Sequence, residues 1–220
     1  MAGTPSKDIP IEQFWDIPEQ VDAAWSDRRR LAAALRVLCE RCITSDGDLD
    51  RAADFVEAAI ESLPAGPTSR EAYDSGRYFE EPAAYPDRGA MFGRCNPIAP
   101  PMQPTWEAPT ATCRITLDER YVGAPGMVHG GLVAAVFDQL CGHAAVMSGH
   151  GVVTTRLTLR YHRPVPLHAE CRFEATVGDR KRRRIAITGR AWRADTLLAD
   201  CEGVFHILDP RTARAVFEGA

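Results

Sequence analysis

The pattern of apolar and polar residues divides the chain into a helical N-terminal part and a strand-rich C-terminal part. Apolar residues recur at helical spacing across 19–42 and again across 49–63, where Pro64 ends the pattern. We expect these two segments to form a helical hairpin around the loop Ser-Asp-Gly-Asp. The next segment, 64–110, holds nine of the sixteen prolines. This density predicts an irregular connection.

From residue 113 onward, apolar and polar residues alternate with a period of two, which is typical of strands with one covered face. Five segments show this alternation: 113–117, 157–161, 171–177, 185–191 and 201–207. The basic run GDRKRRR indicates a hairpin between two of them. The four segments that follow residue 150 are therefore expected to form a meander.

Between the first and second of these strands lies the run GGLVAAVFDQLCGHAAVM, which is apolar on nearly every side. A helix that is apolar all round is buried, and one such helix can cover one face of a sheet. The sequence therefore predicts an α+β fold in which an antiparallel sheet wraps around one long central helix. The expected divisions are a helical extension (1–64), a connecting segment (65–104), the sheet domain (105–210) and a C-terminal tail (211–220).

Charge and cysteine usage narrow the class of protein. The formal net charge of −4 favours neither nucleic acid nor a membrane surface as a partner. The N-terminus has no positive segment followed by an apolar one, so no secretory signal is expected. The seven cysteines are an odd number without regular spacing, which favours reduced thiols and a cytoplasmic location.

Two metal-like patterns have simpler interpretations. Four acidic residues match ligand positions of a calcium loop, namely Asp46, Asp48, Asp50 and Glu57. Arg51 stands where that loop needs glycine, and acidic residues also favour a helix N-terminus. Cys39 and Cys42 form a C-x-x-C pair on a predicted helix, without a second pair to complete a zinc site. We therefore expect no metal and no redox cofactor.

The segment GMVHGGLVAAVFD carries the candidate chemistry. Gly130 and Gly131 allow close backbone approach at the start of the central helix, where the first N–H groups lack intrahelical acceptors. A carbonyl oxygen placed there would be polarised as in an oxyanion hole. Asp138 is the only formally charged residue of the run 130–147, and it lies about 12 Å further along the helix axis.

The distance between Asp138 and the start of its helix limits how the two can take part in one reaction. Asp138 is too far from its own helix start to act on one small group bound there. If both elements serve one reaction, a second copy of the chain brings its Asp138 across an interface. The alternative is a structural carboxylate that accepts hydrogen bonds from loop N–H groups, because an unpaired buried carboxylate is costly.

The pattern V-H-G-G-L-x-A-x-x-x-D, followed by a strand ending Y-x-R-P-x-P-L, resembles the hot-dog-fold acyl-CoA thioesterases. It is similar in particular to the branch containing the phenylacetate-pathway thioesterases and the mammalian thioesterase superfamily members. The resemblance covers roughly 105–208, about half of the chain, and leaves out the N-terminal helices. It implies hydrolysis of acyl-CoA to the free acid and coenzyme A, in active sites built across a homodimer or a tetramer of two dimers.

The resemblance also implies roles for individual residues. Asp138 would act as general base or nucleophile, the Gly130 N–H would bind the thioester carbonyl, and His129 would shape the same turn. Thr154 would help to place the water. A regular strand would point Thr154 away from the helix, opposite to Leu157 and Leu159, so its neighbour Thr155 is an alternative.

Other positions concern binding. Gly131 belongs to the turn expected to hold the substrate. The phosphates of coenzyme A need cations, and the candidates are Arg163 and the hairpin residues Arg182 and Arg183; for the hairpin, a solvated tip is the alternative. Some family members carry an assisting Asn six residues before the histidine, where this chain has Gly123. That departure leaves room for a non-catalytic acyl-CoA-binding protein.

His143, also on the central helix, is interpreted as a packed core residue rather than a member of the site. A dehydratase with the same fold is a weaker interpretation, because those enzymes pair an Asp with a nearby His in a different motif.

Overall fold

The computed structural model describes residues 23–75 and 87–208. The N-terminal helices are α1 (Ala23–Thr44), α2 (Leu49–Glu61) and α3 (Ser69–Asp74). The remaining elements are β1 (Thr105–Glu107), β2 (Thr110–Thr116), a 3-10 turn (Glu119–Tyr121), α4 (Gly130–Met147), β3 (Val152–Tyr161), β4 (Glu170–Lys181), β5 (Arg184–Arg193) and β6 (Thr196–Ile207). The start of the first predicted helix and the predicted tail 211–220 lie outside the described residues.

The six strands form one antiparallel sheet in the order β1-β2-β4-β5-β6-β3, with α4 packed against one face. Nine of the eighteen residues of α4 are buried, which is why the segment is apolar on nearly every side. Phe137 of α4 meets Phe173 of β4 edge to face, with ring centroids 5.3 Å apart. The predicted α+β fold, a sheet wrapped around one helix, is confirmed.

The pairing of β3 differs from the expected meander. Of the four strands predicted to form it, only β4, β5 and β6 follow one another as neighbours, whereas β3 pairs with β6 at the far edge of the sheet. The prediction of a four-stranded meander is therefore wrong. A period of two identifies a strand but carries no information about which strand lies beside it, because that choice is made by packing across the whole sheet.

Helix α1 is attached to the segment that precedes the sheet. Arg36 donates from Nη2 to the carbonyl oxygens of Gly93, Arg94 and Asn96, at 2.9, 3.0 and 2.8 Å. Arg29 donates from Nε to the buried carboxylate of Asp87 at 2.9 Å. These contacts connect α1 to residues 57–60 positions further along the chain.

Helix α2 behaves differently, because none of its residues is buried in the described part of the chain. Its largest apolar side chains, Phe55 and Ile60, are 66% and 63% exposed. Asp48 is the N-cap and accepts from the Arg51 N–H at 3.0 Å, which agrees with the helix-terminus interpretation of the acidic run. Both predicted helices are present, but α2 does not bury its apolar stripe as expected for a packed helical hairpin.

Candidate active site

The N-terminal turn of α4 leaves one backbone donor available. His129 is the N-cap, and its Nδ1 accepts from the Gly131 N–H at 3.0 Å. The N–H groups of Leu132 and Val133 donate to the carbonyl oxygen of His129 at 2.9 and 3.2 Å. Of the first four N–H groups of the helix, only that of Gly130 has no acceptor among the described residues.

The two adjacent glycines, Gly130 and Gly131, therefore differ in whether their N–H groups are available. The Gly130 N–H is available to a carbonyl oxygen, whereas that of Gly131 is occupied by the imidazole of His129. His129 therefore shapes the turn as a helix cap, with the proton of its neutral ring on Nε2. Gly131 contributes no free donor in this geometry.

The turn itself is held by the chain on both sides. The His129 N–H donates to the carbonyl oxygen of Tyr121, and the Val128 N–H donates to that of Val165, each at 2.9 Å. Gly123 passes so close that a Cβ placed on it would lie 2.7 Å from the Cα of His129. Any side chain at Gly123, including the Asn of some family members, would require the turn to shift.

Asp138 is paired by the residue that the family resemblance implied. Thr154 Oγ1 donates to Asp138 Oδ1 at 2.7 Å, and the carboxylate is half-buried in the single chain. The carboxylate on this apolar helix is thus neither fully buried nor unpaired, which lowers the cost of placing it there. Thr155 instead donates to the carbonyl oxygen of Val204 at 2.7 Å.

A β-bulge explains why Thr154 rather than Thr155 reaches Asp138. The register with β6 shifts between Thr154 and Arg156, so Thr155 is an extra residue without a partner. Beyond the bulge, Leu157 pairs with Gly203, and before it Thr154 pairs with Phe205. Phe205 and Gly203 both face the helix side of the sheet and are buried, so Thr154 faces that side too. The expectation from a regular strand is wrong at this position.

A cleft of about 490 Å³ lies beside the N-terminal turn of α4. It is lined by the loop 123–130, by Val133 and by residues 161–165 at the end of β3. Arg163 is part of this lining, together with His129 and Gly130. Asp138 is not, so one chain by itself does not bring its carboxylate to the cleft.

The two predicted groups of cations lie at opposite ends of the sheet. The hairpin of Arg182 and Arg183 follows β4 and lies at the same end of the strands as the start of β3. The pairing shows this, because Val152 of β3 pairs with Ile207 of β6, and the adjacent His206 pairs with Arg184 of β5. Arg163 follows the end of β3. The ten residues of β3 separate them by about 30 Å at ~3.3 Å per residue.

Tyr161 is a site residue that the sequence reasoning missed. Its hydroxyl donates to the carbonyl oxygen of Gly130 at 2.8 Å, and its ring lines the cleft. The tyrosine of the Y-x-R-P motif was a signal for this contact, but the motif alone does not indicate which backbone group the hydroxyl meets.

His143 lies in the core, as interpreted from the sequence. It is 6% exposed and meets Phe92 edge to face, with ring centroids 5.6 Å apart. Burial lowers the pKa of its imidazole to about 4. The ring is therefore neutral at pH 7.

Comparison with known proteins finds a similar family and a similar fold for this domain. Residues 125–199, which run from the turn before α4 into β6, match the model of the thioesterase superfamily. This match lies within the sheet domain, covers α4 and the strands β3 to β5, and spans about a third of the chain. A thioesterase superfamily protein of known crystal structure has the same fold, with a TM-score of 0.70 and 24% identity over 87% of this chain and 93% of that one.

Two curated relatives match shorter segments. Acyl-coenzyme A thioesterase THEM4 of Xenopus laevis is 44% identical over 45 residues, which is 20% of each chain. Acyl-coenzyme A thioesterase THEM4 of Bos taurus is 30% identical over 90 residues, 40% of this chain and 37% of that one. The chain therefore spans well under half the length of these relatives.

Proposed function

We propose that the protein hydrolyses the thioester of acyl-CoA to a free acid and coenzyme A. The observation that carries this proposal is the pair of groups on one helix: a Gly130 N–H at its start that has no acceptor within 23–75 and 87–208, and an Asp138 carboxylate held by Thr154. The match of residues 125–199 to the thioesterase superfamily and the similarity to proteins named acyl-coenzyme A thioesterases support it.

In this reaction, Asp138 as general base takes a proton from water while the water oxygen forms a bond to the thioester carbon. The carbonyl oxygen becomes an oxyanion and accepts from the Gly130 N–H. The C–S bond then breaks, and the coenzyme A thiolate leaves and takes up a proton. If Asp138 acts as nucleophile instead, its oxygen forms the first bond to carbon and water cleaves the resulting anhydride. No metal or redox cofactor enters either route.

A homodimer joined along β3 would unite the two groups. In the described chain β3 pairs only with β6, so its other edge is open, and an open edge of ten residues favours pairing with another strand. Thr154, bonded to Asp138, and Tyr161, bonded to Gly130, lie near opposite ends of this strand. Antiparallel pairing about a two-fold axis between residues 157 and 158 would place Thr154 opposite Tyr161 of the second copy.

The same two-fold would also explain the separated cations. Within one chain, Arg163 and the hairpin lie about 30 Å apart and cannot hold the same phosphate group. Antiparallel pairing along β3 would bring the hairpin of one copy toward the cleft of the other. We therefore propose that Arg163 and the hairpin residues Arg182 and Arg183 bind coenzyme A phosphates from different copies, in a cytoplasmic dimer or a tetramer of two dimers.

Release of free thiol from a panel of acyl-CoAs of different chain length tests the proposal directly. We expect the full chain to release thiol from at least one acyl-CoA. The Asp138→Asn variant should lose that activity while still binding the same acyl-CoA. Tight binding of an acyl-CoA by the wild-type protein without release of thiol would instead show a non-catalytic acyl-CoA-binding protein. A protein that neither binds nor hydrolyses any member of the panel would contradict both functions.

A further inference from the structure

We infer that the Tyr161 hydroxyl is a positioning group that fixes the direction of the Gly130 N–H. This inference rests on the proposed function, in which that N–H receives the substrate carbonyl. The hydroxyl donates to the carbonyl oxygen of Gly130 at 2.8 Å, from the last residue of the edge strand β3 to the first residue of α4. The contact joins residues 31 positions apart.

The ring of Tyr161 adds a second restraint on the same residue. A Cβ placed on Gly130 would lie 3.7 Å from both the hydroxyl oxygen and Cζ of the ring, which is ordinary van der Waals distance. The ring therefore lies against the Cα of Gly130 while the hydroxyl holds its carbonyl. Tyr161 is nevertheless 53% exposed, so burial of apolar surface alone does not explain its placement.

Gly130 needs such a restraint more than its neighbours do. Hydrogen bonds from the N–H groups of Val128 and His129 hold the chain before Gly130, and the His129 imidazole holds the N–H after it. Gly130 itself has no side chain to limit its backbone angles, and its own N–H is left without an acceptor among the described residues. Among the described residues, Tyr161 is the side chain that donates a hydrogen bond to Gly130.

The restraint matters because an oxyanion donor is effective when it is already aimed before the reaction begins. Holding the carbonyl and the Cα of Gly130 restrains the residue's ψ and φ. The direction of its N–H depends on that φ and on ψ of His129, which the hydrogen bonds of the turn already hold. Tyr161 and Thr154 lie on the same strand, so β3 sets the position of the donor at one end and of the carboxylate at the other.

The variant Tyr161→Phe removes the hydroxyl and keeps the ring. We expect kcat for the acyl-CoA that the wild type cleaves to fall about tenfold, the effect of one hydrogen bond of ~1.4 kcal/mol, with KM within about twofold. Thr105→Val is the matched control, because it removes a hydroxyl that donates to a backbone carbonyl, that of Thr112 at 3.3 Å, on the strand at the opposite edge of the sheet. Its kcat should equal that of the wild type. A Tyr161→Phe variant with unchanged kcat, or equal losses in both variants, would overturn the inference.

Hydrogen exchange at the Gly130 amide, followed by NMR, provides a second readout that does not need turnover. In Tyr161→Phe the Gly130 resonance should shift and its exchange should accelerate, whereas Thr105→Val should leave both unchanged. An unaltered Gly130 amide in Tyr161→Phe would overturn the positioning role even in an active enzyme. If the wild type releases no thiol, the proposed function fails, and the amide measurement still decides whether Tyr161 orders this turn.

Discussion

Helices α2 and α4 both have apolar residues that a folded protein is expected to cover, but among the described residues only α4 is covered. Half of α4 is buried beneath the sheet, whereas α2 buries no residue in the described part of the chain. The polar residues of α4 also have defined environments: Asp138 is bonded to Thr154, and His143 packs against Phe92. An apolar pattern thus shows that a helix has a surface to cover, but it does not show what covers it.

The largest expected effect is on the activity that α4 carries. Asp138→Asn retains a carbonyl oxygen that can accept from Thr154 but loses the base, so kcat should fall by a factor on the order of 10²–10⁴. The melting temperature should hold, because the hydrogen bond at 2.7 Å has an equivalent in the variant. Turnover and thermal unfolding should be measured on the same preparation. A large loss of melting temperature with turnover retained would show that the carboxylate is structural.

A second polar residue of α4 should make stability depend on pH. Burial lowers the pKa of His143 to about 4, while in the unfolded chain it is about 6.5. Between these values the unfolded state binds a proton that the folded state excludes, so this contribution is complete above pH 6.5 and is lost as pH falls toward 4. The loss should reach about 3 kcal/mol, since each pKa unit corresponds to about 1.4 kcal/mol.

Urea unfolding at pH 7 and pH 5 measures this contribution, with His143→Leu as the comparison. The variant should lose less stability than the wild type between the two pH values. An identical difference in both proteins would show that other groups cause the pH dependence.

Helix α1 is intermediate between α2 and α4 in how firmly it is attached, because arginines rather than a broad apolar face hold it. Arg36→Met removes three hydrogen bonds of 2.8–3.0 Å to backbone carbonyls and should lower the free energy of unfolding by about 2 kcal/mol. Arg30→Met is the control on the same helix, where the side chain is 86% exposed and, in the part of the chain that the structure describes, forms an ion pair of 3.7 Å with Asp27. It should change stability by less than ~0.5 kcal/mol. Equal losses of unfolding free energy in the two variants would show that the Arg36 hydrogen bonds do not stabilise the attachment of α1.

The smallest effect is expected on α2. Phe55→Ser replaces a side chain that is 66% exposed and should change the free energy of unfolding by less than ~0.5 kcal/mol. Phe137→Ala in α4, where the ring is fully buried, should cost roughly 3–5 kcal/mol. A loss above ~1 kcal/mol in Phe55→Ser would mean that α2 is covered in solution, and a loss that grows with protein concentration would identify a second copy as the cover.

The candidate site shows the same limit on what a sequence pattern reveals. The motif around His129, Gly130 and Asp138 is local, and so the sequence located the helix start and the carboxylate without the structure. It did not distinguish Thr154 from Thr155, because the bulge that turns Thr154 toward Asp138 depends on the register with β6. It also did not separate Gly130 from Gly131, since the difference arises from the direction of the His129 imidazole.

The sequence by itself determined the properties that depend on neighbouring residues: the apolar run of the central helix, the alternation of the strands and the spacing from Gly130 to Asp138. Only the tertiary structure decided that β3 lies at an edge beside β6, that Tyr161 reaches Gly130 and that α2 is not covered by the residues from 23–75 and 87–208. The physical reason is that helix and strand periods arise within one turn or one pleat. Strand order and register follow instead from burying all apolar faces together, across residues far apart in the chain.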